Sequence, residues 1–229
     1  MRLRRFYTGT DIELKHDFWL HDQRIVGQWK RVLQYQLGQQ VILFDGVETD
    51  RIYRIAELKD DEAHLELVTD YERQLPDKNV YMFWTLLKED KNDWVLQKAT
   101  ELGISHFIPL LSDRAENTDF DVARAEKIVI EASEQCDRSD IPTVREPMLL
   151  KTALEHMGSK VPLMVCEQGG ERPESLSGDT YGVLIGPEGG WSDQELKQFQ
   201  ELNLPHLGLG DLTLRAETAA IAAATILHL

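Results

Sequence analysis

Hydrophobic positions along the 229-residue chain follow two grammars that change over near residue 72. From Leu3 to about Tyr71 the apolar residues form short runs with β-branched or aromatic members, at 41–44, 50–57 and 63–68. Asp45-Gly46 and the charged turn at 59–62 separate them. One short helix is predicted in this part, at about 25–36. Short strands between turn signals predict a small barrel or sandwich. Residues 72–78, Glu-Arg-Gln-Leu-Pro-Asp-Lys, are polar and contain Pro76, the composition of a linker.

Beyond Lys78, strands and helices alternate. Residues 79–87 read as a strand, and 92–102 as a helix with Trp94, Val95, Ala99 and Leu102 at helical spacing, stopped by Gly103. A strand at 105–111 precedes a long amphipathic helix at 120–138, with Val122, Ile128, Val129 and Ala132 on its buried stripe. A shorter helix at 149–157 leads to two strands, 161–166 and 181–185, apolar enough to be covered on both faces. Ser192-Asp-Gln-Glu195 is a capping box opening a helix to about residue 202. A short strand follows at 206–209, then an alanine-rich helix at 215–229 with almost no polar face. Such a helix must be covered, by its own domain or by a partner subunit. This alternation predicts an α/β layer structure with a mainly parallel sheet.

At 42% hydrophobic and 28% charged residues, the composition excludes disorder and fibrous designs. No apolar stretch reaches the roughly 18–20 residues of a membrane-spanning helix, and the opening Met-Arg-Leu-Arg-Arg-Phe continues into polar residues, so a cytoplasmic protein is expected. Cys136 and Cys166 have neither paired nor metal-ligand spacing, and Asp17, His21 and Asp22 form no metal set; no metal is expected. The net charge of −15 argues against a nucleic-acid partner. Yet the first forty residues hold seven basic side chains (Arg2, Arg4, Arg5, Lys15, Arg24, Lys30, Arg31) against four acidic (Asp11, Glu13, Asp17, Asp22), a local excess suited to an anionic surface. Trp19, Trp29, Trp84, Trp94 and Trp191 read as packing anchors, and His206 as a surface or satisfied histidine.

The chemistry concentrates at three strand ends. Leu184-Ile-Gly-Pro-Glu-Gly-Gly190 is a glycine-rich turn between a buried strand and a capped helix, where ligands bind in open α/β sheets. It lacks the Gly-Lys-Ser/Thr of a phosphate loop and the Gly-x-Gly-x-x-Gly of a dinucleotide fold. Leu207-Gly-Leu-Gly210 gives a second such end, continued by Leu212, Leu214 and Arg215, and Val165-Cys-Glu-Gln-Gly-Gly170 gives a third. Apolar walls, accessible backbone and the carboxylates Glu167 and Glu188 suit a neutral or cationic ligand better than a polyphosphate. S-adenosylmethionine fits that description: an adenine for the apolar slot, a sulfonium that tolerates acids, and a carboxylate for backbone N–H donors.

Gly186-Pro-Glu-Gly-Gly190 followed by Ser192-Asp-Gln-Glu195, then Leu209-Gly210 and Leu214-Arg-Ala-Glu-Thr-Ala219, closely resembles the ribosomal RNA small-subunit methyltransferase E family of the SPOUT superfamily. Lys98-Ala-Thr-Glu-Leu-Gly-Ile104, Ser112-Asp-Arg114 and Glu134-Gln-Cys-Asp-Arg138 match further segments of that family in order. The resemblance implies a PUA-like RNA-binding β-barrel at 1–72 and a SPOUT methyltransferase domain at 73–229. The latter would have its C-terminal segment threaded into a deep trefoil knot, a topology that pattern reasoning does not produce. It also implies a homodimer and S-adenosylmethionine-dependent methylation of N3 of a uridine in 16S ribosomal RNA of the small subunit.

Carried onto this sequence, the cofactor residues would be Glu167, Gly186, Pro187, Glu188, Gly189, Leu207, Gly208, Leu209, Leu212, Leu214 and Arg215. Catalytic candidates are Arg138, Arg215 and Glu217; an acid at the position of Glu217 also suits a helix N-terminus without any catalysis. RNA contact would fall to Arg2, Arg4, Arg5, Lys30 and Arg31, so Arg4→Ala and Arg5→Ala should each weaken binding and flatten its salt dependence. Two departures matter, the first for RNA binding and the second for the active-site rim. The family's His-x-x-x-Val-Leu-Arg helix is Gln28-Trp-Lys-Arg-Val-Leu-Gln34 here, and an arginine common before Leu214 is replaced within Asp211-Leu-Thr213. Those losses and the −15 charge leave open a second class of function: a non-catalytic RNA-binding or ribosome-assembly factor that retains the knotted domain for dimerisation.

Overall fold

A computed structural model describes residues 3–169 and 178–228. The chain forms two compact units, one of Met1–Leu75 with Ser133–Ile141, the other of Pro76–Ala132 with Pro142–Leu229. The segment that joins the N-terminal unit from far along the chain is invisible to any reading that cuts the sequence once.

The N-terminal unit carries β1 (Arg5–Tyr7), β2 (Asp17–Leu20), α1 (Gln23–Arg31), β3 (Gln40–Phe44), β4 (Asp50–Leu58) and β5 (Ala63–Asp70). Its sheet runs β1-β3-β4-β5-β2, with β1 parallel to β3 and the other pairs antiparallel. Alternate side chains of β3–β5, among them Val41, Leu43, Tyr53, Ile55, Ala63 and Leu65, meet Ile25, Val26 and Trp29 of α1 in one core. The carboxylate of Asp22 caps α1, accepting from the N–H groups of Arg24 and Ile25 at 2.8 and 3.1 Å. The helix stops at Arg31, five residues short of the predicted end. There the Leu33 N–H reaches back to the Gln28 carbonyl, and Gln34 takes a left-handed φ of 52°.

The second unit carries β6 (Asn79–Thr85), α2 (Glu89–Glu101), β7 (His106–Leu111), α3 (Val122–Cys136, whose last turn belongs to the N-terminal unit), β8 (Thr143–Val144) and β9 (Met148–Leu149). After these come α4 (Leu150–Met157), β10 (Leu163–Glu167), β11 (Thr180–Ile185), α5 (Asp193–Glu201), β12 (His206–Gly208) and α6 (Ala216–His228). The sheet runs β12-β10-β11-β6-β7-β8, parallel throughout, with β9 also parallel to β7. Its central strands are buried along nearly their whole length, as two-sided coverage requires. The expected capping box on α5 is present, with Glu195 buried: its carboxylate accepts from the Ser192 and Asp113 N–H groups at 2.7 and 3.0 Å. Helix α6 packs on α2, β11 and β6.

Two expectations fail on α2. The helix starts three residues earlier than predicted, because Asn92 serves as a buried hub rather than as a first residue. Its side chain accepts from Trp84 Nε1 and the Leu87 N–H, both at 3.0 Å, and donates to the Leu87 carbonyl. The buried stripe is Asn92, Val95, Leu96, Ala99 and Thr100, which leaves Trp94 43% exposed and not a packing anchor. Among the described residues no helix is long and apolar enough to cross a membrane.

Candidate functional site

Because β10 pairs with both β11 and β12, the carboxyl ends of these three parallel strands stand side by side. Together they wall a cavity of about 830 Å³. From β10 come Cys166, Glu167 and Gln168; from the turn after β11 come Gly186, Pro187, Glu188 and Gly190. The loop after β12 supplies Leu209, Gly210 and Leu212 through Arg215, and α6 supplies Ala216 and Ala219. Ile185, Leu209, Leu214, Ala216 and Ala219 make the wall largely apolar, with carboxylates and main chain set into it.

Local chemistry explains the shape of the loops. Gly186 carries no Cβ because one would stand 3.0 Å from the ring of Trp191, which packs directly beneath it. Gly190 takes a φ of 69° and closes a tight turn on the Pro187 carbonyl at 2.9 Å. The loop after β12 is stapled to the end of β10: Gln168 Nε2 donates to the Asp211 carbonyl at 3.2 Å, and Thr213 donates to Gln168 Oε1 at 3.0 Å. Burial pushes the Cys166 thiol well above its ordinary pKa, so it contributes volume and not a thiolate.

Of the sequence-derived cofactor residues, Glu167, Gly186, Pro187, Glu188, Leu209, Leu212, Leu214 and Arg215 line the cavity. Three do not. Leu207 is fully buried within β12, Gly208 pairs with Glu167 in the ladder, and Gly189 turns its carbonyl to Arg114 Nη1 at 3.0 Å. Glu167 pairs with His206 Nδ1 at 2.6 Å, which makes His206 a satisfied histidine. Glu217 sits in the first turn of α6 with its side chain 12% exposed, next to the cavity residue Ala216. Arg138 belongs to the other unit, where its guanidinium holds Asp140 through two bonds of 2.7 and 2.8 Å.

Sequence reasoning missed Lys91, Gln168, Trp191 and Thr213. Lys91 lies in the first turn of α2, just past the end of β6, which pairs with β11. A signal existed: a fourth strand end of the same sheet. Lys91 bonds Glu188 and approaches Glu217 to 3.7 Å. The Glu188 hydrogen bond, chief among the causes, raises the pKa of Lys91, and the same bond lowers that of Glu188.

Among the expected RNA-facing residues, Arg2 lies outside the described residues. Arg4 and Arg31 are exposed, and Lys30 is partly exposed and paired with Asp60 at 2.6 Å. Arg5 corrects the expectation: it is 2% exposed, its guanidinium bonds Asp50 and Ser139, and it stacks over Phe44. Asp50 at the head of β4 needs a buried counter-charge, and Arg5 supplies it inside the unit rather than at its surface.

A parallel sheet whose glycine-bearing strand ends wall one cavity defines a ligand-binding α/β protein. The family model for an RNA methyltransferase domain matches residues 73–228. Over 232 residues the chain is 26% identical to the ribosomal RNA small subunit methyltransferase E of Rickettsia conorii, covering 97% of this chain and 94% of that protein. It is 31% identical over 173 residues to the Bacillus subtilis protein of that name, covering 68% and 67%. The crystal structure of the Neisseria gonorrhoeae counterpart bound to S-adenosyl methionine superposes with a TM-score of 0.87 at 27% identity, covering 97% of this chain and 95% of that one. The chain belongs to the ribosomal RNA small subunit methyltransferase E family.

Proposed function

We propose that this protein methylates small-subunit ribosomal RNA with S-adenosylmethionine as methyl donor, and that the target is N3 of a uridine in 16S RNA. The observation that carries the reading is the cavity at the three strand ends: about 830 Å³, apolar-walled, with Glu167 and Glu188 in its rim. Its makeup suits the cofactor. Ile185, Leu209, Leu214 and Ala219 offer a slot for a flat purine, the space where a Cβ would stand on Gly190 and Gly210 is open, and the acids tolerate a positive centre. The crystal structure of the Neisseria relative is bound to S-adenosyl methionine, which supports this choice of ligand. When bound, the cofactor supplies a methyl group made electrophilic by a positively charged sulfur.

The chain's own residues then have two tasks. They hold the uracil in line with that methyl, and they favour loss of the N3 proton. Arg215 at the cavity wall is suited to the anionic RNA or to a uracil carbonyl, and Glu217 to holding charge behind the wall. Arg138, buried and bound to Asp140 in the N-terminal unit, is given no part in the step. Arg4, Lys30 and Arg31 of the N-terminal unit are the RNA-directed cations, which gives that unit the part of a PUA-like RNA-binding barrel. A trefoil-knotted SPOUT domain is supported by β12 lying outside β10 while α6 returns to pack on β11, β6 and α2. The proposal includes a homodimer in the cytoplasm and a reaction that needs no metal.

Calorimetric titration with S-adenosylmethionine and S-adenosylhomocysteine tests the pocket. About one site per chain is expected, lost in Ala219→Trp, which fills the cavity from a helix that accepts the residue without backbone strain. Transfer of labelled methyl to unmodified small subunits, followed by mass spectrometry of the RNA, tests the substrate. A chain that binds the cofactor and labels no small-subunit RNA is instead the assembly factor. A folded chain that binds neither cofactor loses the enzyme reading altogether.

A further inference from the structure

Among the described residues Lys91 carries the only alkyl-ammonium in the cavity wall, yet it lies outside every glycine motif. It faces two carboxylates of different kinds. Glu188 is 43% exposed on the turn after β11, whereas Glu217 is 12% exposed and its Oε2 is buried with no hydrogen-bond partner, 3.7 Å from Lys91 Nζ. Glu217 is thus a fixed counter-charge, and Glu188 an exchangeable one. An ammonium has three donors, and Glu188 takes one of them. With its pKa raised, chiefly by that bond, Lys91 is a cationic donor at neutral pH and not a base.

The inference rests on the uridine-N3 reading above. When the N3–H bond breaks, the electron pair stays on N3 and its charge spreads onto the two flanking carbonyl oxygens, while the proton passes to water. A preorganised cation beside one of those oxygens is worth most at that moment, because charge develops there only as the proton leaves. Arg215 is exposed on the loop after β12; Lys91 is held against a buried acid on the rigid first turn of a helix. We propose that Lys91 is a catalytic residue whose ammonium donates to a uracil carbonyl oxygen as N3 loses its proton, exchanging Glu188 for the base. Glu217 is its positioning residue, holding the ammonium in place rather than accepting the proton.

Single-turnover methyl transfer at saturating cofactor tests this with Lys91→Met, Lys91→Arg and Glu217→Gln. The RNA carries either uridine or 5-fluorouridine, whose N3 proton is more acidic. Lys91→Met should slow transfer by about 100-fold, the loss typical of removing one such donor. Any loss of S-adenosylhomocysteine affinity should be much smaller than that loss of rate, about tenfold at most. Lys91→Arg should recover most of the rate, and the Lys91→Met deficit should shrink on 5-fluorouridine RNA. Glu217→Gln should show a smaller loss with the same fluorouridine rescue. Three results overturn the proposal: wild-type transfer by Lys91→Met, a loss confined to cofactor affinity, or a deficit that 5-fluorouridine leaves unchanged. Wild-type protein separates the two levels. If it transfers no methyl, the functional reading falls and takes the role of Lys91 with it; if it transfers and Lys91→Met equals it, only the role of Lys91 falls.

Discussion

Arg5 and Arg4 are neighbours in sequence with opposite physics. Arg4 is exposed, so Arg4→Ala should reduce the slope of log affinity for RNA against log salt by about one, measured by filter binding across a salt series. Arg5 is buried against Asp50, with Arg73 Nε a further 3.6 Å from the same carboxylate, so its loss strands a charge in the core. Arg5→Met should cost about 3–5 kcal/mol in urea unfolding, and adding Asp50→Leu should return only part of it, because Arg73 and the Ser139 hydroxyl then lose the carboxylate they share. A different acid, Asp45, sits in the turn between β3 and β4. Burial raises its pKa, but three backbone N–H bonds from Val47, Glu48 and Thr49, at 2.8–2.9 Å, outweigh that and leave it below the usual value. Its stabilisation is therefore complete above the unfolded carboxylate pKa of about 3.9 and is lost as pH falls through the lower folded value. In acid titrations Asp45→Asn should be less stable than wild type at neutral pH, and the gap should close toward pH 3 and below. Alternation and hydropathy mark a residue as polar; they do not say whether its charge meets water or a buried partner 45 residues away, and for that reason Arg5 was misread.

At the scale of elements, the local grammar was legible wherever a cap or an apolar period wrote it. The capping box at Ser192–Glu195, the buried runs of β7 and β11 and the α/β alternation all stand in the structure. The two-residue strands β8 and β9 carry too few residues for any periodicity, and β10 ends one residue beyond its apolar run because pairing with β12 extends it to Glu167. The glycine loops were readable as ligand-facing turns, while Lys91, Gln168 and Thr213 needed the strand order, which brings the ends of β6, β11, β10 and β12 into one row. Strand β11 also shows why one glycine inside a strand is fixed. A Cβ on Gly182 would stand 2.5 Å from Leu163 and 3.1 Å from Phe83 and Val161, all members of one buried core cluster. Gly182→Ala should cost about 1–3 kcal/mol by overpacking, read as a lowered urea midpoint with an unchanged slope, and should weaken cofactor binding in proportion to any shift of β11.

For the whole molecule, α6 is the element whose surroundings decide the assembly. Its inner face, Ala216, Ala220, Ala223, Ala224 and Leu227, is buried against its own unit. Thr218 and Thr225 are exposed, and Ile221, Ala222 and Ile226 are only partly covered, on a helix with a single acid, Glu217, in its first turn. A helix apolar on nearly all sides is stable in water only if something covers the second face. In the proposed homodimer, the same helix of a second copy does so, and a two-fold arrangement makes the patch self-complementary. Sedimentation velocity should then give a species of twice the 26.3 kDa chain mass, and the melting temperature should rise with protein concentration. Ala222→Asp places an unpaired carboxylate in that contact without touching the inner face. It should weaken association by about 3 kcal/mol or more, roughly a hundredfold or more in dimer dissociation constant. Because Ala219 on the same helix lines the cavity, the monomer so produced should bind S-adenosylhomocysteine more weakly even though every cavity side chain is intact. A wild-type chain that sediments as a monomer at all concentrations, or an Ala222→Asp variant as dimeric as the parent, would place the covering surface of α6 elsewhere.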